Sequence, residues 1–285
     1  MVEIFYLQPP KLLYIHTAIL SYFHTMFYIQ VLLSFLIAGS WIAVLTLMAE
    51  RFGSKAGGLI ANLPSNIMIT LIFITLTHGN GFVGGMLPAI PVGLLIDSVF
   101  LVVFILLLNY NLLISILGSL GCWVLLAVLA DRIQLDSLWI NIANYLIVTI
   151  VAFLFVEYGW KIPAMGRSGK KYTLGQMVIR AGFAGGIVGG VVLISHFIPA
   201  YLTGIISTFP AVLFSSMVIL AVNQGKAFAQ ATGKVMILST SNILVYTLGV
   251  YYTYPLLGIV AGTVVSFLLA FGWIALLRPV MKRFS

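Results

Sequence analysis

The chain has 285 residues, of which 62 % are hydrophobic and only 7 % charged. A soluble domain carries about 25 % charged residues, so this composition cannot build a water-facing surface and excludes a soluble enzyme or binding module. The net charge of +8 lacks a basic stripe interleaved with aromatics; it reads as contact with anionic lipid headgroups rather than with nucleic acid. A single cysteine, Cys122, excludes an intramolecular disulfide and a cysteine-rich metal site.

Only helices or closed barrels satisfy backbone polar groups in lipid. The apolar runs here are about 20 residues long, without period-two alternation, and therefore predict helices. Before the first run, His16, Thr17, Ser21, His24, Thr25 and Tyr28 share one half of a helical wheel. Residues 1–30 are accordingly expected to hold an interfacial amphipathic helix, with a tenth short span as the alternative; Glu3 and the Pro9-Pro10 pair argue against a cleavable signal peptide. Nine spans follow, near 31–50, 56–77, 82–107, 110–130, 138–158, 174–197, 200–222, 226–249 and 253–276. The longest polar break, "KIPAMGRSGKKYT" at 161–173, separates two halves.

The halves repeat. Gly58-Leu59-Ile60-Ala61-Asn62-Leu63-Pro64 matches Gly204-Ile205-Ile206-Ser207-Thr208-Phe209-Pro210 at an offset of 146, which also pairs Ala38-Gly39 with Ala184-Gly185 and Gly79 with Gly225. Residues 31–130 and 174–285 read as four-helix repeats joined by a linker span and basic loop at 131–173. Four helices return the chain to its starting side and a fifth carries it across. The second copy should then enter from the opposite face, as in the inverted repeats of secondary transporters. The expected fold is an all-α polytopic bundle.

Pro64 and Pro210 fall near the middle of their spans. A proline there frees a backbone carbonyl one turn earlier, expected at Ile60 and Ile206, and such a group is tolerated at membrane depth only inside protein or beside a wet cavity. The expected substrate-binding set is therefore Asn62, Pro64, Ser65, Asn66, Ser207, Thr208, Pro210 and Asn242. Proline kinks capped by neighbouring hydroxyls and amides are the alternative. The glycine ladder 182, 186, 190, interleaved with 185 and 189, predicts close helix packing.

Two charges lie inside spans. Asp97 and Lys234 should sit at similar depth on antiparallel helices, which makes a buried pair geometrically feasible. Such a pair would be a static bridge or a coupling switch, unless Lys234 snorkels to the interface. Arg180, near a helix end, reads as an interfacial anchor, and Glu157 as a span-end residue that needs no special role.

"VIRAGFAGGIVGG" (178–190), "TGIISTFPAVLF" (203–214) and "PLLGIVAGTVVSFLLAFGWIALL" (255–277) resemble the GlpM-like family of small bacterial inner-membrane proteins built from one four-helix unit. The resemblance covers the second half and, more weakly, 31–130. Two departures stand out: this chain fuses two units around an extra span, and Ser34 stands where the second copy has Arg180. The resemblance bears on fold, and it implies that single-unit relatives pair as antiparallel dimers.

None of the four histidines has metal-ligand spacing, and no nucleophile elbow or phosphate loop is present. The reading is thus a non-enzymatic permease or exporter of small solutes in the cell membrane, without cofactor or metal. Its expected partners are the lipid bilayer, a small solute and, in a homodimer, a second copy of the chain. A non-transporting accessory or scaffold subunit is the runner-up; it should show a dry, packed core where a permease shows a polar cavity.

Overall fold

The computed structural model describes residues 9–51, 63–163, 165 and 173–284. All regular structure among them is helical: α1 (Pro9–Arg51), α2 (Ser65–His78), α3 (Asn80–Met86), α4 (Ile90–Leu107), α5 (Leu112–Ile133), α6 (Leu138–Leu154) running into a π-helical turn (Phe155–Gly159), α7 (Leu174–Ile194), α8 (Ala200–Ser207), α9 (Ala211–Gln224), α10 (Lys226–Ser239) and α11 (Ser241–Phe284). Seven helical stretches among the described residues are long and apolar enough to cross a membrane. Their outer faces expose large apolar side chains such as Leu32, Leu117, Ile147 and Leu268. This is the make-up of a multi-pass membrane protein, because only lipid tolerates so much exposed hydrocarbon.

Three expected boundaries change. The first span does not begin at 31: α1 is one continuous helix of 43 residues, since no proline or glycine interrupts Lys11 to Ala38. The amphipathic face expected before Thr25 lies outside the described side chains. The third expected span is divided into α3 and α4 around Pro88. The last two expected spans form one apolar stretch, Lys226–Pro279, of 54 residues, or about 80 Å at 1.5 Å per residue. That stretch is interrupted at Thr240 and at Gly258, whose φ of 74° breaks the helix.

The 146-residue offset reappears in the backbone. Pro64 precedes the 14-residue α2 with φ −79° and ψ 52°, and Pro210 precedes the 14-residue α9 with φ −80° and ψ 51°. Each helix ends on a glycine, Gly79 at φ 82°, ψ 175° and Gly225 at φ 90°, ψ 166°. A side chain is strongly disfavoured in that conformation, so glycine is required at both corners. Local sequence thus dictates the same helix start, helix and corner twice.

Helices α1 and α7 pack closely through small residues. A Cβ added at Gly39 would lie 3.0 Å from the Ala181 carbonyl oxygen, one at Gly185 would lie 2.6 Å from that of Phe35, and one at Gly189 would lie 3.4 Å from that of Val31. Residue numbers rise along one helix as they fall along the other, so the two run antiparallel. Only part of the predicted ladder packs: Gly185 and Gly189 face α1, whereas added Cβ atoms at Gly182, Gly186 and Gly190 meet nothing within 4 Å. Helix α4 is the central element, with Leu94 packed in one hydrophobic cluster with Leu71, Tyr145 and Tyr246, and Phe100 and Phe104 in a second with Met217 and Ile237.

Gly185→Val should destabilise the protein by about 1–3 kcal/mol, because the backbone of α1 must move. Gly186→Ala should be neutral or stabilising by up to ~1 kcal/mol through helix propensity. Thermal unfolding in detergent tests the contrast; equal effects at the two positions would contradict the packing of α7 on α1.

Candidate functional site

Pro210 lacks an N–H and disfavours helical geometry in the residue before it, so α8 stops at Ser207 and α9 starts afresh at Ala211. The end of α8 is self-capped: Ser207 Oγ donates to the Gly204 carbonyl at 2.7 Å and Thr208 Oγ1 to the Ile205 carbonyl at 2.8 Å. The Ile206 carbonyl, expected to be free, accepts from the Phe209 N–H at 3.0 Å. The corresponding Ile60 lies outside the described residues. The starts of α2 and α9 carry no side-chain cap.

Both breaks open on one cavity of about 240 Å³. From the first break it is lined by Pro64, Ser65 and Asn66, and from the second by Ser207, Thr208, Phe209 and Pro210. Asp97, Asn242, Ser239 and Thr240 complete its polar wall, and Ile42 and Thr46 close it from α1. Pro64, Ser65, Asn66, Ser207, Thr208, Pro210, Asn242 and Asp97 are therefore brought together, while Asn62 lies outside the described residues. The four successive polar residues 239–242 are shared out: Ser239, Thr240 and Asn242 line the cavity, whereas Ser241 accepts from Trp273 Nε1 at 2.9 Å.

Helix α4 delivers Asp97. Gly93 lies against Thr208 so closely that no side chain fits, and Asp97 follows one turn later on the same face. Its carboxylate is fully buried; Oδ1 accepts from Trp123 Nε1 at 2.9 Å, and Oδ2 has no hydrogen-bond partner among the described residues. Trp123 in turn meets Phe209 edge-on, with ring centroids 4.9 Å apart. The carboxylate is thus tied to the second break through one indole ring.

Lys234 does not pair with Asp97. Its Nζ lies 2.7 Å from Glu157 Oε2 and donates to the Ile162 carbonyl at 2.8 Å, and the side chain is 1 % exposed. The expected pairing is not formed, because Lys234 turns to Glu157 instead. The π-helical turn at Phe155–Gly159 presents Glu157 to α10, so a residue expected to have no special role holds the buried lysine. Lys234 is not among the cavity-lining residues.

Arg180 is the other correction. Six residues into α7, it is 7 % exposed and lines the same cavity as Asp97, so it is buried in the protein rather than spread at the interface. Trp123 and Arg180 are the functional candidates that sequence reasoning missed. The available signals were an indole donor in mid-span, which normally finds a partner when buried, and an arginine opening a glycine-rich helix.

Residues 31–135 match the model of a protein family of unknown function, DUF3147. The match begins inside α1 and ends two residues beyond α5, in the half where the GlpM-like resemblance is weaker. No curated protein and no solved structure matches the chain.

Glu157→Gln should destabilise the protein by about 3 kcal/mol, because it strips a buried ammonium of its partner. Adding Lys234→Met should recover most of that loss. Asp97→Asn and Lys234→Met should combine additively within ~0.5 kcal/mol. Unfolding in detergent of the single and double variants measures both couplings; a larger coupling between 97 and 234 than between 157 and 234 would contradict the pairing.

Proposed function

We propose that the chain is a small-solute permease or exporter of the cell membrane that works by alternating access around the cavity between its broken helices. One observation carries the reading: the breaks at Pro64 and Pro210 line the same cavity of about 240 Å³, and the fully buried Asp97 lines it with them. A carboxylate at membrane depth costs at least ~2.5 kcal/mol. A chain that only needed to fold would do better with an apolar residue there. The self-capped hydroxyls would serve equally well as interhelical glue, so they do not discriminate. The cavity weighs against a scaffold subunit, for which a filled core is the better solution.

The same proposal arranges residues 31–130 and 174–285 as inverted four-helix repeats in nine crossings. Its support is the shared break and corner torsions and the antiparallel contact of α1 with α7. In inverted-repeat transporters discontinuous helices meet near the midplane, and one half rocks against the other. We extend the GlpM-like resemblance to both units on the same grounds, and read the molecule as a carrier rather than an enzyme, needing no cofactor.

Purified protein in liposomes, screened with radiolabelled neutral, anionic, cationic and zwitterionic small solutes, tests the proposal. At least one class should exceed protein-free vesicles several-fold, and Asp97→Asn should lower that flux at least tenfold while remaining monodisperse. Folded protein that moves no class, or Asp97→Asn with unchanged flux, would overturn it.

A further inference from the structure

The ends of α2 and α7 meet through two imidazole rings, neither of which lines the cavity. We infer that His78 and His196 form a pH-sensitive joint between the two halves, closed when the rings are neutral and released when both are protonated. The joint lies outside the cavity, so it stands whatever the cavity carries.

His78 is the last residue of α2, just beyond the span expected at 56–77, and His196 lies just past the end of α7. Their ring centroids are 4.9 Å apart. His78 Nε2 lies 2.8 Å from Ser195 Oγ, and Ser195 Oγ donates its only proton to the Val192 carbonyl at 2.7 Å. The proton between histidine and serine therefore belongs to Nε2, and neutral His78 keeps Nδ1 bare. This bond survives protonation, because an imidazolium donates from both nitrogens. Protonation changes only the charge.

Phe82 stacks on His78 with centroids 4.4 Å apart, and the Phe27 ring is centred 4.2 Å from His196. An aromatic face attracts a cation, so either imidazole can carry a charge alone. Both charges together repel, and the flanking phenylalanines keep out water that would screen them. At 4.9 Å even the dielectric of water gives a bias of about fourfold against the doubly charged pair. No acid offsets it. Helices α2, α3, α7 and α11, which meet at or beside this joint, contain no aspartate or glutamate. In α1, which brings Phe27 and places Gln30 on Thr77, the acid is Glu50, more than six turns beyond Phe27. His24 and Tyr28, next to Phe27 in sequence, add no negative charge at neutral or mildly acidic pH. Tyr246 and Tyr254 of α11, in the apolar cluster that includes Ile74 of α2, add none either.

Burial, and after it the charge of His196, hold the His78 imidazole below its ordinary value of 6.5. The released state thus binds more protons than the joined one. The joint holds above about pH 6.5 and weakens as the pH falls below it. The second half does not repeat the pair: at the offset of 146, Gln224 precedes Gly225 where His78 precedes Gly79. A glutamine therefore fits this corner, and its amide can donate to Ser195 without titrating.

Electron paramagnetic resonance on the full-length protein in nanodiscs tests the inference, with Cys122→Ser and nitroxides at Asn80→Cys and Phe197→Cys, both exposed positions. The joined population relative to the separated one should fall at least ~4-fold between about pH 8 and about pH 5. His78→Gln and His196→Gln should each flatten that response. Histidine NMR gives a second readout: His196→Gln should raise the protonation midpoint of His78 by about half a pH unit or more. Distances unchanged across this range, an undiminished pH response in either glutamine variant, or a His78 midpoint that His196→Gln leaves in place would overturn the inference. If a variant fails to fold, the wild-type distance series still decides.

Discussion

Hydrocarbon offers no hydrogen bonds, so a helix broken inside it must find partners for its loose backbone groups within the protein. The break at Pro210 shows how that demand is met. At the second break, Ser207 and Thr208 turn their hydroxyl protons back onto the last carbonyls of α8, and Phe209 supplies the N–H that Pro210 cannot. The break is then covered by helices that approach through glycine: α4 at Gly93 against Thr208, and α8 at Gly204 against the backbone of Met86. Close approach and backbone satisfaction are therefore one solution, and the cavity lies between that break and the start of α2.

That solution also explains how Asp97 is held. A carboxylate entering a protein interior loses hydration worth several kcal/mol, which only specific partners offset. Here Trp123 supplies one donor and Phe209 steadies the indole edge-on. The second carboxylate oxygen is buried without a hydrogen-bond partner among the described residues, and Asp97 lines a cavity that Arg180 and the starts of α2 and α9 also line. Lys234 contrasts with it. Its ammonium is held by Glu157 and the Ile162 carbonyl, away from the cavity, in an arrangement that closes on itself. One buried charge is structural, and the other faces open volume.

Much of this was legible in the sequence, for reasons that also explain what was not. Composition and run length give helices and membrane at once, because both depend only on summed hydrophobicity. The offset of 146 locates both breaks, because proline and glycine impose backbone geometry without help from tertiary contacts. Pairing is different. Counting residues from a loop does not give the azimuth of Asp97 or Lys234, and a π-helical turn shifts the azimuth of everything beyond it. Hence Glu157 took the partner assigned to Asp97. Arg180 was misjudged for a related reason: six residues into α7 is shallow for its Cα, yet a long side chain can still reach the protein interior. The division of a 54-residue apolar stretch is likewise weak in composition, since Tyr254 and Pro255 mark a turn, while the backbone breaks at Gly258.

The duplicated frame carries chemistry that is not duplicated. At the offset of 146, Pro64 corresponds to Pro210 and Ile67 to Leu213, and all four line the cavity. Asp97 corresponds to Ile243, which also lines it, and Arg180 to Ser34, which is buried with its hydroxyl on the Val31 carbonyl at 2.7 Å. Beyond residue 110 the match of 110–119 with 254–263 shifts the offset to 144, so Trp123 corresponds to Phe267, which is half-buried. Backbone symmetry is cheap to keep because it follows from small residues and prolines. Charge symmetry would be costly, because a second aspartate and a second arginine in the same low-dielectric volume would each need their own partners. The cavity is thus repeated in its proline torsions and unrepeated in its buried charges, Asp97 and Arg180. Under the proposed inversion, rocking one half against the other would change which face of the bilayer that cavity meets without exchanging the groups that hold the solute.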